Sequence, residues 1–282
     1  MILATVLLFM AAIVAIILPL HLLARLDLRL EERRTAQAFL SATAAGAAWE
    51  ALQRLADDDT PLLDHLQEDW ARRQAYSLPS GVEIEIQIRD ENRRLNVNSL
   101  ALRPAEETRR APADMAADLL ATAQWPDPAG TVQALRDWVD ADTEGTREAA
   151  YYRLAGLPLV PPNAAFESPA ELDAILAAHA DAPRARPEHL TVLPLRDNRP
   201  TPLNVNTASR DALLATLGAG RLGAVESLCR RREAGPVTAL SQAFDAKTLA
   251  ALGPYLATDS RYFTLTSRAS QHGRQASVHA WI

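Results

Sequence analysis

The sequence has a single cysteine, Cys229, and no excess of positive charge. One cysteine excludes an internal disulfide and any metal site built from several thiolates, so stability has to come from packing or bound ions. With 29 basic and 35 acidic residues, the formal net charge of −6 argues against a protein that coats nucleic acid. The 48% of hydrophobic and 23% of charged residues are ordinary for a globular protein and exclude long-range disorder.

Residues 1–24 lack charge altogether, since all 64 charged side chains lie in the remaining 258 residues. In this stretch 21 of 24 residues are apolar, and about 20 apolar residues suffice for a helix to cross a bilayer. We therefore predict a transmembrane helix over Ile2–Leu23. A cleaved signal peptide and a buried core helix are the alternatives, although no positive residue precedes the apolar run and Pro19-Leu20-His21-Leu22 is a poor cleavage context.

The helix is predicted to continue beyond the membrane, because Arg25–Leu55 has no proline, one glycine and many strong helix formers. An unbroken helix from Ile2 to Leu55 would be about 80 Å long. Pro19 is expected to kink it near the membrane surface. Apolar residues recur at mostly three- and four-residue steps, typical of an amphipathic helix, at Leu26, Leu30, Ala36, Phe39, Leu40, Ala47, Trp49, Leu52 and Leu55.

Alternating patterns predict strands near both ends of the remaining chain. Residues Val82–Arg89 alternate between aliphatic and polar side chains, as in a half-buried strand. We expect Arg94–Asn98 to return as the hairpin partner of this strand. A second hairpin is expected at Tyr262–Ser267 and Gln275–Trp281, around His272-Gly273.

Most of the chain between these strands is predicted to be helix and loop. A helical stretch is also expected between the break at Asp57–Pro61 and about Gln74, and proline-rich connectors lie at Pro158–Pro162 and Pro183–Pro202. The pattern therefore predicts an α+β fold in which a helical insert divides one small sheet. Helices in the middle region are predicted at Leu119–Thr122, Val132–Val139, Ala170–His179, Ala208–Leu217, Leu222–Arg232 and Leu240–Leu252.

One segment is repeated: Leu95-Asn96-Val97-Asn98-Ser99 recurs as Leu203-Asn204-Val205-Asn206-Thr207. Both copies end in a residue that can cap a helix. A strand end followed by a helix N-cap explains either copy equally well, and neither copy is a catalytic motif.

Acidic residues are concentrated in one loop, Asp137-Trp138-Val139-Asp140-Ala141-Asp142-Thr143-Glu144-Gly145, with Glu148 shortly after. Oxygen ligands at alternate positions before a glycine are typical of Ca²⁺ loops, and the opening resembles an EF-hand. The twelfth position counted from Asp140 is Tyr151 instead of a bidentate glutamate, so other oxygens would have to complete the site. A solvated acidic loop capping a helix is the alternative. The predicted calcium ligands are Asp137, Asp140, Asp142, Glu144 and Glu148.

The second copy of the repeat leads into a segment that resembles a helix-hairpin-helix module. In such modules a Gly-x-Gly hairpin exposes backbone N–H groups to phosphate, and nearby arginines supply positive charge. A membrane-anchored DNA-binding protein of the competence type is therefore the alternative function, although the module also occurs as a purely structural helix pair. The DNA-contacting residues would be Gly218, Gly220, Arg221 and Arg231.

The sequence contains none of three common catalytic motifs. It has no His-Glu-x-x-His, no Gly-x-Ser-x-Gly and no phosphate loop, and its six histidines are scattered. We therefore assign no catalytic residues and expect a protein that is not an enzyme.

Segments distributed along nearly the whole chain resemble the type II secretion system protein K family, also called general secretion pathway protein K. The most specific part of the resemblance is Asp137-Trp138 through Asp140-Ala141-Asp142, followed by Glu148 and Tyr151-Tyr152. The other segments are the N-terminal apolar helix, Leu95–Ser99, Ser168-Pro169-Ala170-Glu171-Leu172 and Leu203–Ala208.

This resemblance implies a fold. Family members are minor pseudopilins, with a pilin-like long N-terminal helix packed on a small antiparallel sheet and a large all-α domain inserted into the sheet. The divided sheet predicted from patterning agrees with this. The implied parts are 1–24 as the transmembrane half of the helix, 25–56 as its amphipathic periplasmic half, 57–98 with 259–282 as the sheet domain, and 99–258 as the insert, which includes the hairpin module at 203–235.

The resemblance also implies a function in protein export across the outer membrane. Such proteins are anchored once in the bacterial inner membrane with the C-terminal domain in the periplasm, and they initiate and cap the tip of the pseudopilus. Implied partners are the minor pseudopilins I, J and H, the major pseudopilin, the inner-membrane assembly platform, and secreted substrates or the outer-membrane secretin. Ca²⁺ would bind in the insert. The expected assembly interface is Thr5, Leu26, Leu30, Phe39, Leu40, Trp49 and Leu52.

The start of the chain departs from the family pattern. Family precursors begin with a short basic leader that a prepilin peptidase removes, so the chain is expected either to be the mature form beginning at Met1 or to have a truncated start. Most pseudopilins carry a glutamate where Thr5 stands, and its absence resembles the K family in particular. An unpaired carboxylate in a bilayer costs several kcal/mol, and a tip subunit has no neighbour above it to pair with.

Overall fold

A computed structural model describes residues 2–102, 110–179 and 186–282, which form two compact units. The first unit contains the residues up to Ala56, Arg73–Gln87 and Leu265–Ala280, and the second contains Asp57–Arg72, Ile88–Thr264 and Trp281–Ile282. The second unit is therefore larger than the predicted insert 99–258. Met1 and the start of the connector predicted at 183–202 lie outside the described residues.

The order of elements matches the predicted α+β class, with strands of one sheet on both sides of a mostly helical region. The helices are α1 (Ile2–Ala56), α2 (Pro112–Thr122), α3 (Pro128–Val139), α4 (Ala149–Leu154), α5 (Pro169–Ala178), α6 (Arg210–Leu217), α7 (Leu222–Ala234) and α8 (Ala246–Leu252). The strands are β1 (Gln74–Ser77), β2 (Glu83–Asp90), β3 (Leu95–Asn96), β4 (Leu190–Thr191), β5 (Leu203–Asn204), β6 (Leu256–Ala257), β7 (Phe263–Gln271) and β8 (Arg274–Trp281).

Helix α1 is continuous through Pro19 and confirms the predicted long helix. Its length and composition are sufficient for it to cross a membrane. None of its most apolar window is buried among the described residues, so this segment is not a core helix of the protein.

Only the C-terminal part of α1 packs against its own unit. Its buried residues recur at three- and four-residue steps, and most are alanines, which allow close approach of the helix backbone. At about 100° per residue, Trp49 lies on the face opposite Leu40 and is 62% exposed, whereas Leu40 is 2% exposed. The buried stripe is Leu40, Ala44, Ala47, Ala48 and Ala51.

The small sheet has the strand order β1-β2-β7-β8. Ile84, Ile86 and Ile88 of β2 are buried between more exposed neighbours, which confirms the predicted alternation. The hairpin of β7 and β8 around His272-Gly273 is also confirmed, and both turn residues have positive φ as a two-residue hairpin turn requires.

The predicted hairpin between Val82–Arg89 and Arg94–Asn98 is wrong. The sheet neighbours of β2 are β1 and β7, and Leu95–Asn96 pairs in parallel with Leu190–Thr191 in a separate two-stranded ladder. The physical reason lies in Asn92 and Asn96, whose side chains bond the backbone of distant segments and direct the chain away from the sheet.

Two helix predictions need correction. The stretch before Gln74 forms turns instead of a helix, because the Asp64 N–H donates to the Thr258 carbonyl and the His65 N–H donates to the Glu68 side chain, and a helix would have used both N–H groups. Leu240–Leu252 is broken into a single 3₁₀ turn and α8, since the Asp245 side chain accepts from the Thr248 N–H at 2.7 Å and caps a new helix.

The first Asn-x-Asn copy holds two remote loops of the second unit together. Asn96 Oδ1 accepts from the Leu193 N–H at 3.0 Å, and its Nδ2 donates to the Leu193 carbonyl at 2.9 Å. Asn98 Oδ1 accepts from the Phe166 N–H at 2.8 Å, while its Nδ2 donates to the Phe166 and Leu193 carbonyls. These buried amides therefore satisfy backbone groups that no helix or sheet satisfies.

The second copy repeats this arrangement. Asn206 Oδ1 accepts from the Val237 N–H at 2.8 Å and its Nδ2 donates to the Val237 carbonyl at 3.1 Å, while Asn204 Nδ2 donates to the Asp64 carbonyl and the Ser260 hydroxyl. Strand β5 pairs in parallel with β6, as β3 does with β4. The sequence repeat thus corresponds to two structurally equivalent asparagine clamps, each beside its own apolar core.

Two buried carboxyl groups lie beside the second clamp. Asp64 Oδ2 accepts from the Ser260 N–H at 2.7 Å, and burial raises its pKa to about 7, with a smaller contribution from nearby acidic groups that include Asp90. Burial also raises the pKa of Asp90 to about 6, although hydrogen bonds from Thr207, Ser260 and the Asn92 N–H oppose the shift. Both groups titrate near neutral pH.

The clamps predict a stability effect. Asn98→Ala removes the side-chain partner of the buried Phe166 N–H and carbonyl and leaves the Leu193 carbonyl with its bond from Asn96 alone; each unsatisfied group costs about 1–3 kcal/mol. We expect the free energy of unfolding to fall by roughly 3 kcal/mol, measured in detergent by urea titration with tryptophan fluorescence. Gln53→Ala, at an exposed position of α1, should change it by less than about 0.5 kcal/mol; equal effects would contradict the clamp.

The Asp64 carboxyl predicts a pH dependence. Its folded pKa of about 7 lies above the value of about 4 in an unfolded chain, so folded protein keeps a proton that unfolded protein releases. Stability from this group is therefore present below pH 4 and is lost as pH rises toward 7. Relative to Asp64→Asn, the wild type should lose about 2 kcal/mol of unfolding free energy between pH 5 and 8. Parallel pH curves for the two proteins would contradict this.

Candidate metal centre

The acidic loop connects two helices whose ends are fixed. The Asp127 side chain caps α3 by accepting from the Gly130 N–H at 3.0 Å, and α3 ends at Val139. Helix α4 begins at Ala149 with Glu148 in the N-cap position, but the Glu148 side chain makes no capping hydrogen bond. Residues 140–148 therefore form the loop between the two helices, and the Glu148 carboxylate is not used to cap α4.

The loop brings three of the five predicted ligands together. Asp140, Asp142 and Glu148 each offer an oxygen, and these oxygens lie within 4.8 Å of one another. Arg136 Nε lies 3.9 Å from Asp140 Oδ2. Three carboxylates this close to one another repel, and a divalent cation would neutralise their charge.

Buried oxygens in this loop also need a partner. Within the described residues, Glu148 Oε1 and Asn163 Oδ1 are buried without a hydrogen-bond donor. Burial, and secondarily the charges of Asp137, Asp140 and Asp142, raises the pKa of Glu148. Buried oxygens without donors are uncommon in proteins, and all-oxygen donor sets suit hard cations such as Ca²⁺. The residues present therefore fit the metal predicted from the sequence.

Asp137 has a different place from the three grouped carboxylates. It is 1% exposed, and its two oxygens accept from Gln133 Nε2 at 2.8 Å and from the Arg147 N–H at 2.7 Å. A Cβ atom at Gly145 would overlap the Asp137 carboxylate, so the glycine is needed for close approach. Asp137 thereby holds the loop against α3.

Glu144 also lies outside the group of three. Its side chain is exposed, and its backbone N–H donates to Asp142 Oδ1 at 2.9 Å. Asn163 was missed by sequence reasoning because it lies far along the chain; its Nδ2 donates to the Asp142 carbonyl. A positive φ at Asn163 is the local signal of a special backbone position, but the sequence alone does not reveal it.

Aromatic side chains form the apolar side of the loop. Trp138 stacks on Phe166 with ring centroids 5.9 Å apart and meets Tyr152 edge to face. The Tyr152 hydroxyl shares a hydrogen bond of 3.2 Å with His179 Nε2, and burial raises the Tyr152 pKa to about 12. The Arg147 guanidinium lies 4.1 Å from the centre of the Tyr151 ring. This packing fixes both ends of the loop.

The helix-hairpin-helix prediction is confirmed as a shape, with α6 and α7 bent by 115° at Gly218. Its arginines make hydrogen bonds within the chain: Arg221 donates to the Leu217 carbonyl at 2.9 Å, and Arg231, which is exposed, donates to Gln242. Gly220 is exposed, whereas a Cβ atom at Gly218 would meet Arg110. These contacts give the pair a structural use and lend no support to DNA contact.

The predicted interface residues divide into two groups. Leu40 is buried within the first unit and Leu52 is half-buried, so they contribute to the protein's own packing. The Thr5 hydroxyl donates to the Ile2 carbonyl at 3.2 Å inside α1. The exposed apolar residues lie on two faces of α1. Phe39 and Trp49, about 80° apart around the helix, are named here the free stripe, whereas Leu26 and Leu30 lie on the opposite face.

Comparisons with known proteins show which proteins this chain resembles. Residues 93–195 match the family model for type II secretion system (T2SS), protein K. One chain of the crystal structure of the GspK-GspI-GspJ complex from the enterotoxigenic Escherichia coli type 2 secretion system shares the fold, with TM-score 0.64, 20% identity, and coverage of 90% of this chain and 92% of that chain. The search of curated proteins gave no match. The comparisons therefore show a similarity to type II secretion system protein K over residues 93–195 and a shared fold over most of the chain.

Proposed function

We propose that this protein is a minor pseudopilin at the tip of the type II secretion pseudopilus, where it initiates and caps assembly for protein export. The observation that supports this proposal is the length of α1, because most of the helix extends beyond the part that packs against its own unit. Its buried residues lie between Leu40 and Ala51, and residues 2–35 are exposed throughout, so the helix from Ile2 to Thr35 is left for a bilayer or for other subunits. The proposed location is the inner membrane, with the rest of the chain in the periplasm.

The free stripe suits contacts with neighbouring subunits. Phe39 is 48% and Trp49 is 62% exposed, and large aromatic side chains of this kind often carry most of the energy of an interface. The similar chain was crystallised in a GspK-GspI-GspJ complex. We therefore propose the minor pseudopilins I and J as partners, with H, the major pseudopilin and the assembly platform engaged during assembly. Burial of the stripe would supply the assembly energy.

The size of the second unit supports capping. Residues 91–262 are inserted between the neighbouring strands β2 and β7. An insert of this size would obstruct a further subunit and would leave the unit available to secreted substrates or the secretin. Thr5 is compatible with a terminal position, because its hydroxyl is satisfied within the helix and needs no amine from a neighbour.

We also propose that the acidic loop binds Ca²⁺. Asp140, Asp142 and Glu148 would hold the ion, and Asn163 Oδ1 is the additional ligand that the structure suggests. Ca²⁺ takes six to eight oxygens, so carbonyls or water would complete the shell. The ion would neutralise the crowded carboxylates and join the 140–148 loop to the segment carrying Asn163. Its role would be structural, in a protein that performs no catalysis.

Calcium binding predicts a thermal shift. A ligand that binds only folded protein stabilises it, so millimolar Ca²⁺ should raise the unfolding temperature of the detergent-solubilised chain by about 5 °C over a chelator control. Asp140→Asn with Glu148→Gln should abolish the shift while leaving the metal-free protein at least as stable, because carboxylate repulsion is relieved.

Glu144→Gln is the matched control, since it removes one exposed carboxylate from the same loop without touching the grouped oxygens. It should keep the calcium shift. A wild-type protein whose unfolding temperature is the same in calcium and chelator would leave these residues as surface acids.

The free stripe predicts a loss of assembly. Phe39→Glu with Trp49→Glu places two charges where an interface would exclude water, and truncating or charging such anchors commonly costs more than 2 kcal/mol of binding energy. We expect co-purification with the minor pseudopilins I and J to be lost. Arg33→Gln with Ser41→Glu makes the same change of net charge at exposed positions of α1 away from Phe39 and Trp49 and should retain the complex. Intact complexes with the stripe variant would exclude this interface.

A further inference from the structure

A cleft of about 700 Å³ in the second unit lies outside both the helix and the acidic loop. Three arginines line it, Arg196, Arg199 and Arg261, together with one acidic residue, Asp197. The local charge is therefore positive although the chain as a whole carries −6. A positive site on an acidic protein concentrates anionic partners at that site alone.

The three arginines are exposed, and their side chains are not paired with acidic groups of the described residues. Among the described residues, no ion pair or side-chain hydrogen bond engages Arg196, Arg199 or Arg261. Other arginines of this unit are used internally: Arg94 pairs with Glu91 at 2.9 Å, and Arg232 donates to the Ala208 carbonyl at 2.6 Å. The three cleft arginines thus keep their full capacity for bidentate bonds to carboxylates.

A tight hairpin presents two of these arginines. Arg196 and Arg199 face each other across an isolated bridge, and the Arg199 N–H donates to the Arg196 carbonyl at 2.9 Å. The turn residues Asp197 and Asn198 have φ of 52° and 53°, the left-handed conformation of a two-residue hairpin turn. The spacing of the two arginines is therefore set by backbone geometry.

Buried hydrogen bonds hold the walls of the cleft in place. Asn92, which is 1% exposed, accepts from the Arg261 and Tyr262 N–H groups on one wall and donates to the Pro202 carbonyl on the other. The Tyr262 hydroxyl donates to the Pro194 carbonyl at 3.3 Å. A cleft fixed in this way loses little entropy when a ligand enters.

The lining also indicates the shape of the ligand. Four prolines and the rings of Tyr255 and Tyr262 give flat apolar walls between the arginines. Its volume lies within the range of about 300–1,000 Å³ typical of sites for compact ligands, and it is too local to follow a nucleic-acid backbone. We propose that this cleft binds an extended acidic segment of a partner polypeptide, with Arg196, Arg199 and Arg261 on its carboxylates and the rings against its backbone and side-chain stems.

This inference goes beyond filament assembly and stands independently of it. The test uses the full chain in nonionic detergent, titrated into fluorescein-labelled decaglutamate while fluorescence anisotropy is recorded. Binding is expected at low salt and should weaken by about tenfold or more at high salt, as for exposed charge pairs. A matched uncharged decaglutamine peptide should not bind.

Two variants with the same change of charge decide whether the cleft is the site. Arg196→Glu with Arg261→Glu should weaken decaglutamate binding at least tenfold, whereas Arg153→Glu with Arg230→Glu, at exposed positions elsewhere in the unit, should change it less than twofold. Arg196→Lys with Arg261→Lys should retain binding to within about fivefold, and unfolding temperatures of all variants verify folding.

Three results would overturn the proposal. They are no binding of decaglutamate by the wild type, equal loss in the Arg153 and Arg230 variant, and equal affinity for a ten-nucleotide thymidine oligonucleotide. The second would indicate a diffuse charge effect, and the third would indicate a site for polyanions in general.

Discussion

The second unit depends on the hydrogen bonding of buried backbone that belongs to no regular element. Strands β3 to β6 are two residues long and many of the helices are short, so buried N–H and C=O groups such as those of Phe166, Leu193 and Val237 have no ladder to satisfy them. Asn96, Asn98, Asn204 and Asn206 supply the missing partners. An amide offers a donor and an acceptor on one short side chain, which no aliphatic residue can replace.

This constraint explains why the two asparagine copies are alike in structure as well as in sequence. In each, the first asparagine closes a local turn by accepting from the N–H of the second, at 3.1 Å for Asn98 and 2.9 Å for Asn206. The second then binds both backbone groups of a distant residue, Phe166 or Val237. The acidic loop benefits indirectly, because Phe166 stacks on Trp138 at the end of α3.

Sequence reasoning predicts those features that depend on local periodicity. The long α1, the alternation of β2 and the hairpin of β7 and β8 are governed by neighbours within a few residues and were expected correctly. The partner of Leu95–Asn96 was mispredicted because Leu190 is far away in the chain and no periodic pattern encodes it. Trp49 was placed in the same stripe as Leu40, although nine helical residues turn it to the opposite face.

The acidic loop also combines features set by neighbours in sequence with features set by tertiary contacts. Asp140, Asp142 and Glu148 come together because they are close in sequence and the loop is short. The role of Asp137 depends on Gln133 and on the backbone of Arg147, and the position of Asn163 depends on a tertiary contact. Carboxylate spacing therefore indicates where an ion can bind, while the supporting bonds become visible only in three dimensions.

Strands β2 and β7 are neighbours in the sheet, yet residues 91–262 separate them along the chain. Pairing them from an unfolded chain means closing a loop of about 170 residues, which costs conformational entropy that grows with the logarithm of loop length. Non-local pairing of this kind also slows folding. If the intervening segment folds first, the ends of β2 and β7 are already close together, and pairing them costs less loop-closure entropy. Completion of the sheet would then report that the inserted unit has already folded.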